Sequence, residues 1–549
     1  MDLSGRMLAV LCFGMLASAA GSAVAVSEQD YFTEMPEVLS VSRLAQPLDE
    51  TPGAVTVLDR DLIRRSGART VAELLRLVPG YITASDEGGA RPISSYHADY
   101  HVILNHLQVF VDGRSVYSSQ VQGTADYGML GVVLEDVERI EVLRGSNSAA
   151  YGTDAFLGVI NIVTRHSADT RGGMVSATFG QDGVRDGVAR LGWGDQQAAF
   201  RVTAARRADD GFANIYDSSR LNQVHLRADL QPAPGDELTV TAGHSDFVWG
   251  VDQKDALLPA HDEAWRNSYG RVQWTHALGA TDQLRLSFTA DEEAYQNFFP
   301  SLRADGVGRR VEIEAQHSLV AAPGWRLVWG GQYRHEAVNS VDLFANQPDQ
   351  SLQLWRLFGN VEVIPTQRWV VNAGAMIEKH SIVGTNVAPR LMLNFHALPD
   401  HTFRVGATTA YRQPTLFELR ADWQINWQGQ HLVDVLASGN ARPERVNSAE
   451  IGYLGRLREV GLTADLRIFH EKVIDLLSFE RPCSTCRKDV VNKDSNVQQG
   501  WESQLRWQPT PATRILVNYM DLRLLPDATS TSPQDAGRAP RRVSTVAWF

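Results

Sequence analysis

The sequence predicts a transmembrane antiparallel β-barrel preceded by a smaller α+β domain, and three observations predict it. An export leader opens the chain, apolar and polar residues alternate through most of its length, and connections between candidate strands take turns between short and long. Composition alone points elsewhere. The 549 residues are 44% hydrophobic and 21% charged with a net charge of −12, which reads as one large or two to three ordinary globular domains. That charged fraction is too high for a helical membrane bundle. An excess of 64 Asp+Glu over 52 Lys+Arg argues against nucleic acid as a partner, because phosphate neutralisation needs surplus cations. Three cysteines cannot build a disulfide scaffold.

Arg6 precedes the apolar run Met7 to Leu16, and small residues lead to Ala23-Val24-Ala25, the pattern that signal peptidase cuts. Residues 1–25 therefore read as a signal peptide, whose removal would take Cys12 with it. Its apolar run is too short to span a bilayer, and no later segment approaches the ~20 apolar residues of a spanning helix.

From about 30 to 170 the pattern is mixed. Val55 to Leu58 reads as a strand and Asp61 to Ser66 as a helix stopped by Gly67. Thr70-Val71-Ala72-Glu73 is a capping box, and the helix it starts ends at Leu77-Val78-Pro79-Gly80 because proline cannot continue it. Leu107 to Val111 runs into Asp112-Gly113, a hairpin signal. Ile140 to Leu143 and Val159 to Val163 are two more strands, with Gly145, Gly152 and Gly158 where the chain must turn tightly.

After about residue 172 the period becomes two. Leu284, Leu286, Phe288 and Ala290 alternate with Arg285, Ser287 and Thr289; Leu462, Ala464, Leu466 and Ile468 alternate with Thr463, Asp465 and Arg467; Trp325, Leu327, Trp329 and Tyr333 alternate with Arg326, Gln332 and Arg334. Short connections fall at 232–235, 323–324, 365–366, 399–400 and 509–511. Long polar ones fall at 209–222, 247–262, 294–307, 337–351, 413–443 and 476–492. Alternation of the two kinds puts them at opposite ends of an up-and-down sheet, as in an outer-membrane barrel with its apolar face toward lipid. A soluble sandwich would turn that face inward and would not sort its loops by length. About 18 strands can be counted.

The segment Val137-Glu138-Arg139-Ile140-Glu141-Val142-Leu143-Arg144-Gly145, continuing through Ala149-Ala150-Tyr151-Gly152 to Gly158-Val159-Ile160-Asn161-Ile162-Val163-Thr164, resembles the plug signature of TonB-dependent outer-membrane receptors. So do Leu77 to Gly80 and Val109 to Gly113. Tyr411 to Glu418, Gly439 to Glu444 and Ala449 to Gly452 resemble the family's barrel boxes. The resemblance implies a barrel of ~22 strands occluded by the N-terminal α+β plug, importing a substrate with energy delivered through TonB. It divides the chain into the signal peptide, a periplasmic extension over 26–50, a plug over 51–170 and a barrel over 171–549, set in outer-membrane lipid and lipopolysaccharide. Ferric siderophores or other iron complexes lead as cargo because they are the family's commonest, with haem, cobalamin and copper or other metal chelates behind. No resident cofactor or metal is implied.

The family's TonB box is expected at Glu37-Val38-Leu39-Ser40-Val41-Ser42, a β-prone stretch after Pro36 suited to strand addition; a tail that touches nothing is the alternative. Tyr96 stands where the family expects an arginine that helps lock plug to barrel, and Arg144 is the candidate to pair instead with Glu444 or Glu450. Tyr96, His97, Tyr100, His101 and His106 are candidates for substrate contact near the plug apex, where imidazoles and phenols suit a metal chelate or a haem edge; the same residues also suit a plug wall hydrogen-bonded to the barrel. His431 lies where haem receptors of the family carry an axial histidine. Cys483 and Cys486 are expected to form a disulfide clip in an exported loop. No enzyme motif is present: there is no G-x-S-x-G elbow, P-loop or H-E-x-x-H. An outer-membrane barrel enzyme is the different-class alternative. Arg541 to Phe549 resembles an internal strand of the family, so a barrel shortened by about four strands is expected, against the rival that further strands hide in the long loops.

Overall fold

The computed structural model describes residues 42–44, 46–85, 91–97, 106–120, 125–252, 260–297, 304–427, 430–481, 483, 486–526 and 540–549, with backbone alone at 37–38, 424–427, 430–434 and 526. The expected leader over 1–25 lies outside them.

The N-terminal part contains β1 (Glu37–Val38), β2 (Gln46–Pro47), β3 (Ala54–Asp59), α1 (Arg60–Arg65), α2 (Val71–Leu75), β4 (Tyr81–Ser85), β5 (Pro92–Tyr96), β6 (Leu107–Val111), β7 (Arg114–Ser115), β8 (Val137–Arg144), α3 (Ser148–Tyr151) and β9 (Gly158–Thr164). Its central sheet has the order β3-β8-β9-β6-β7, with β6 and β9 parallel. Leu58, Leu74, Leu75, Val109, Ile140, Val142, Ile160 and Ile162 form one buried cluster, which holds the two helices onto the sheet. The capping residues act as expected with one change of partner. The Thr70 hydroxyl accepts the Glu73 amide at 3.2 Å, while the Glu73 carboxylate accepts the amide of Arg69 at 3.1 Å. Asp112 and Gly113 turn the β6–β7 hairpin at φ 48 and 78, and the Asp112 carboxylate accepts the Thr164 amide at 2.8 Å, tying that turn to β9. Gly158 does not turn the chain. It opens β9, where an added Cβ would stand 2.8 Å from the Leu143 carbonyl, so the glycine serves close strand approach.

The rest is an 18-stranded antiparallel sheet in sequence order. Its strands are β10 (Gly172–Phe179), β11 (Arg185–Gly194), β12 (Ala198–Asp209), β13 (Ser219–Leu230), β14 (Asp236–Val251), β15 (His261–Ala277), β16 (Asp282–Asn297), β17 (Gly306–Ala322) and β18 (Trp325–Asn339). They continue as β19 (Asp349–Thr366), β20 (Trp369–His380), β21 (Gly384–Leu398), β22 (His401–Arg412), β25 (Glu444–Leu457), β26 (Leu462–Glu480), β27 (Asp489–Thr510), β28 (Thr513–Pro526) and β29 (Arg542–Trp548). Between β22 and β25 the chain inserts α4 (Leu416–Arg420) and a hairpin of β23 (Asp422–Trp427) and β24 (Gln430–Leu436), which form their own two-stranded sheet. The hairpin is thus extra strand structure in a long connection, outside the barrel ladder. Several long connections are shorter than the sequence suggested. Residues 476–480 still belong to β26 and 489–492 to β27, because ladder pairing carries polar positions that hydropathy marks as loop.

The faces sort as the alternation predicts. Leu286, Phe288, Trp329, Trp355, Leu391 and Ile468 are exposed on the outside, whereas Arg271, Arg334, Arg356, Glu378, Arg404 and Glu502 are buried on the inside against the N-terminal domain. An apolar exterior around a polar, filled lumen is what a bilayer requires of a barrel. Ile468, 60% exposed on β26, therefore faces acyl chains. Ile468→Arg is expected to cost about 2–4 kcal/mol, measured as a lowered urea midpoint for heat-modifiable migration.

Candidate functional site

The interface between plug and barrel wall concentrates the chemistry of this chain. Gly80, at φ 80, turns α2 into the β4–β5 hairpin, which delivers Tyr96 and His97 to the inward face of β26 and β27. Along β26, Asp465, Arg467, Phe469 and Glu471 point inward by period two, and Glu502 of β27 lies directly opposite Arg467. Arg144, at the end of β8, places one guanidinium nitrogen 2.9 Å from Glu502 Oε2 and another 3.1 Å from Asp465 Oδ2. The expected pairing of Arg144 with Glu444 or Glu450 is thus replaced. β8 ends facing β26 and β27, and Glu450 is taken instead by Arg467 at 2.7 Å. Gly145, at φ 106, leaves room for that Arg467: an added Cβ would stand 2.7 Å from its guanidinium. Tyr96 donates its hydroxyl to Glu502 at 2.7 Å, and His97 Nε2 lies 2.6 Å from the same carboxylate. Both rings are fully buried. They therefore form plug wall bonded to the barrel, one of the two placements the sequence leaves open for them.

A second charged knot lies higher, where β22 runs into the 413–443 connection. Arg412 reaches Glu444 at 2.8 Å and Glu418 at 2.9 Å, and His106 of the plug approaches Glu444 at 2.6 Å. Thr415 and Glu418 make a reciprocal capping box that starts α4 and fixes the Glu418 carboxylate toward Arg412. Glu444 thus meets the plug through His106 rather than through Arg144. Further round the wall, Glu293 of β16 accepts the Ser118 hydroxyl at 2.7 Å and the Ser119 amide at 3.0 Å.

The segment expected to bear the TonB box begins in β1, whose Glu37 and Val38 pair with Pro47 and Gln46; Leu39, Ser40 and Val41 lie outside the described residues. Ser42 is buried and bonded to Gln46. Arg43 then fastens three bodies at once. Its Nε donates to the Ala150 carbonyl of α3 at 2.6 Å, its Nη1 pairs with Glu314 of β17 at 2.8 Å, and its guanidinium sits 4.1 Å over the Phe358 ring of β19. Burial pulls the Arg43 pKa down, but Glu314, with smaller help from Tyr151 and Glu312, outweighs it and raises it overall. Tyr100 and His101 lie outside the described residues, as does the His431 side chain, whose backbone pairs with Asn426 in the β23–β24 hairpin. Cys483 and Cys486 are joined by a disulfide. Among the described residues no group of three or more His, Cys, Asp or Glu is arranged to hold a metal ion.

A cavity of about 460 Å³ opens between the start of α2, the β4–β5 hairpin and the wall of β11 to β14, toward the long-connection end. Tyr127, Phe212 and Phe247 supply aromatic surface, and Arg69, Arg207 and Asp217 supply charge. Arg69 is held at the rim by Asp186 at 2.8 Å and Asp209 at 3.1 Å. Sequence reading missed the cavity because its walls come from segments far apart in the chain. It also missed Glu502, Glu471 and Arg467, whose only local signal is a charge on the polar face of a strand.

Comparison with known proteins supplies the family. A model described as TonB-dependent Receptor Plug Domain matches residues 47–159, and one described as TonB dependent receptor-like, beta-barrel, matches residues 149–549. The chain is 24% identical over 526 residues to an iron-regulated outer membrane virulence protein of Vibrio cholerae, covering 90% of this chain and 75% of the relative. It is 30% identical over 400 residues to the vitamin B12 transporter BtuB of Photobacterium profundum, covering 70% of this chain and 63% of that protein. In structure it matches the siderophore receptor PirA from Pseudomonas aeruginosa with a TM-score of 0.70 at 18% identity, over 87% of this chain and 86% of the other. It also matches the alcaligin receptor FauA from Bordetella pertussis with a TM-score of 0.72 at 14% identity, over 96% and 89%.

Arg144→Ala leaves two buried carboxylates short of a cation and is expected to weaken plug docking by about 3–5 kcal/mol. Pulse proteolysis in urea should show earlier cleavage within 81–97 while heat-modifiable barrel migration stays unchanged. Arg43→Ala is expected to make the 42–44 stretch, whose Ser42 and Leu44 are buried, accessible to protease in the resting protein.

Proposed function

The chain belongs to the TonB-dependent receptors of the outer membrane, and on that premise we propose that it imports a ferric siderophore or another compact iron complex. The family consists of transporters and receptors rather than enzymes; its members work with TonB and take small-molecule substrates. The iron-regulated relative, aligned over 90% of this chain, is the observation that carries the choice of cargo. The cavity of about 460 Å³ beside Tyr127 and Phe247 supports it, being of the size that encloses a small ligand and mixing aromatic with charged walls. Cargo entering from the long-connection end would meet the plug at this cavity and at the His106–Glu444–Arg412 knot. TonB would then add a strand to the segment at 37–42 and draw on it, and the pull would first load Arg43 and, through Ala150, helix α3.

A second cargo reading, cobalamin, has the support of the BtuB relative. Uptake of radiolabelled ferric siderophores, ferric citrate and cobalamin by a deletion strain carrying this chain tests both. Iron uptake is expected to fall to background when residues 37–42 are deleted, with cell-surface binding retained. Uptake of cobalamin without any of the iron complexes would overturn the iron reading in favour of the second.

A further inference from the structure

His97 stands out from the rest of the interface in its backbone, its burial and its partners. The residue adopts φ 57, a left-handed conformation that costs a non-glycine residue free energy and persists only where the surroundings hold it. Its ring is sandwiched between Tyr96, centroids 3.8 Å apart, and Phe469 of β26 at 4.5 Å. Nε2 lies 2.6 Å from Glu502 Oε1, and Nδ1 faces Glu471 Oε2 at 3.4 Å. A neutral imidazole has one N–H and one bare nitrogen. The imidazolium turns an N–H toward each of two fully buried carboxylates, hydrogen-bonded to Glu502 and within ion-pair distance of Glu471, whose Oε2 has no hydrogen-bond partner of its own among the described residues.

The charge balance of the knot agrees. The carboxylates linked by direct contact are Glu450, Asp465, Glu471 and Glu502; the guanidiniums are Arg144, Arg404 and Arg467. The next cation along the wall, Arg506, donates instead to the Val57 carbonyl at 3.0 Å. Among these direct contacts four negative charges meet three positive; the buried Arg506 acts on Asp465 only from farther off, so the contact set is one cation short. A proton on His97 removes that imbalance. Tyr96 contributes a hydroxyl to Glu502 and no charge, so the adjacent imidazole supplies the cation.

We propose that His97 is a proton-carrying bolt between plug and barrel, holding β5 to β26 and β27 while protonated and loosening them when the proton leaves. The inference rests on the plug and barrel assignment and needs no particular cargo. Burial lowers the His97 pKa, but the Glu471 and Glu502 carboxylates, by contact and by charge, together outweigh it and raise it overall. A pKa higher in the folded than in the open state contributes docking stability that is complete below the ordinary histidine value. That contribution is lost as the pH rises through the folded value.

Pulse proteolysis of the full chain in detergent micelles, read at 81–97 by mass spectrometry, tests this without cargo or TonB, so its outcome is separate from that of the uptake assays. The wild-type urea midpoint for plug cleavage is expected to fall as the pH is raised from about 6 to 9, the opening equilibrium rising about tenfold for each unit by which the folded pKa exceeds the open one. His97→Gln is expected to open at low urea with that pH dependence gone. The double variant His97→Gln, Glu471→Gln removes one carboxylate together with the cation, restores the balance, and is expected to regain most of the lost midpoint. A wild-type midpoint that does not move over this range, or a double variant no tighter than His97→Gln, overturns the proposal.

Discussion

Burying charge inside a barrel is the constraint on which the rest of this structure depends. An up-and-down sheet with lipid outside leaves its lumen wall polar, and here that wall is crowded with guanidinium and carboxylate groups lying near full burial. An isolated charge in such a place costs several kcal/mol, so most of these groups meet an opposite charge and others, such as Arg506, a carbonyl. The plug is therefore more than a stopper: its outer surface completes the ion pairs that the strands begin. Arg144 answers Glu502 and Asp465, His106 answers Glu444, and Arg114 of β7 answers Asp291 of β16 at 3.0 Å. The apolar core of the plug makes it a folded body, while the paired charges fix where that body sits.

The two domains were legible in the sequence because each follows a local rule. Period two exposed the strands of the wall, glycine and Asp-Gly positions marked the turns of the plug, and capping residues marked α1 and α2. Partnership across the interface was not legible. Arg144 was a sound candidate for the lock, yet nothing in a linear sequence distinguishes Glu502, which it meets, from Glu450, which it does not. The outcome depends on how β8 is aimed at the barrel wall, a tertiary fact. The same limit leaves Tyr96 and His97 open, in sequence, between cargo contact and plug wall. Their composition suggested recognition chemistry, whereas the β4–β5 hairpin turns them into the wall. The inserted hairpin of β23 and β24 and the helix α4 were hidden in a connection whose polar, glycine-bearing sequence reads as loop.

The docking points differ in chemistry and so in what can undo them. Arg144 keeps its charge at any physiological pH and grips through two carboxylates. His97 does not keep its charge under all conditions, and it occupies a backbone conformation that its partners must sustain. Arg43 joins the N-terminal segment, the helix α3 and strand β17, so that load on the tail reaches the plug and the wall together. A plug fastened by unlike bolts can come loose along one edge while remaining seated along another.

Strand length carries a consequence for where encounter happens. β27 runs for 22 residues and β26 for 19, about twice the ~9–11 residues that a tilted strand needs to cross the hydrocarbon layer. At ~3.3 Å per residue and a tilt near 45°, the surplus raises a collar of paired backbone roughly 20 Å above the acyl region. A solute approaching from the long-connection end therefore meets this paired backbone and its charges in the aqueous phase before it comes level with the lipid.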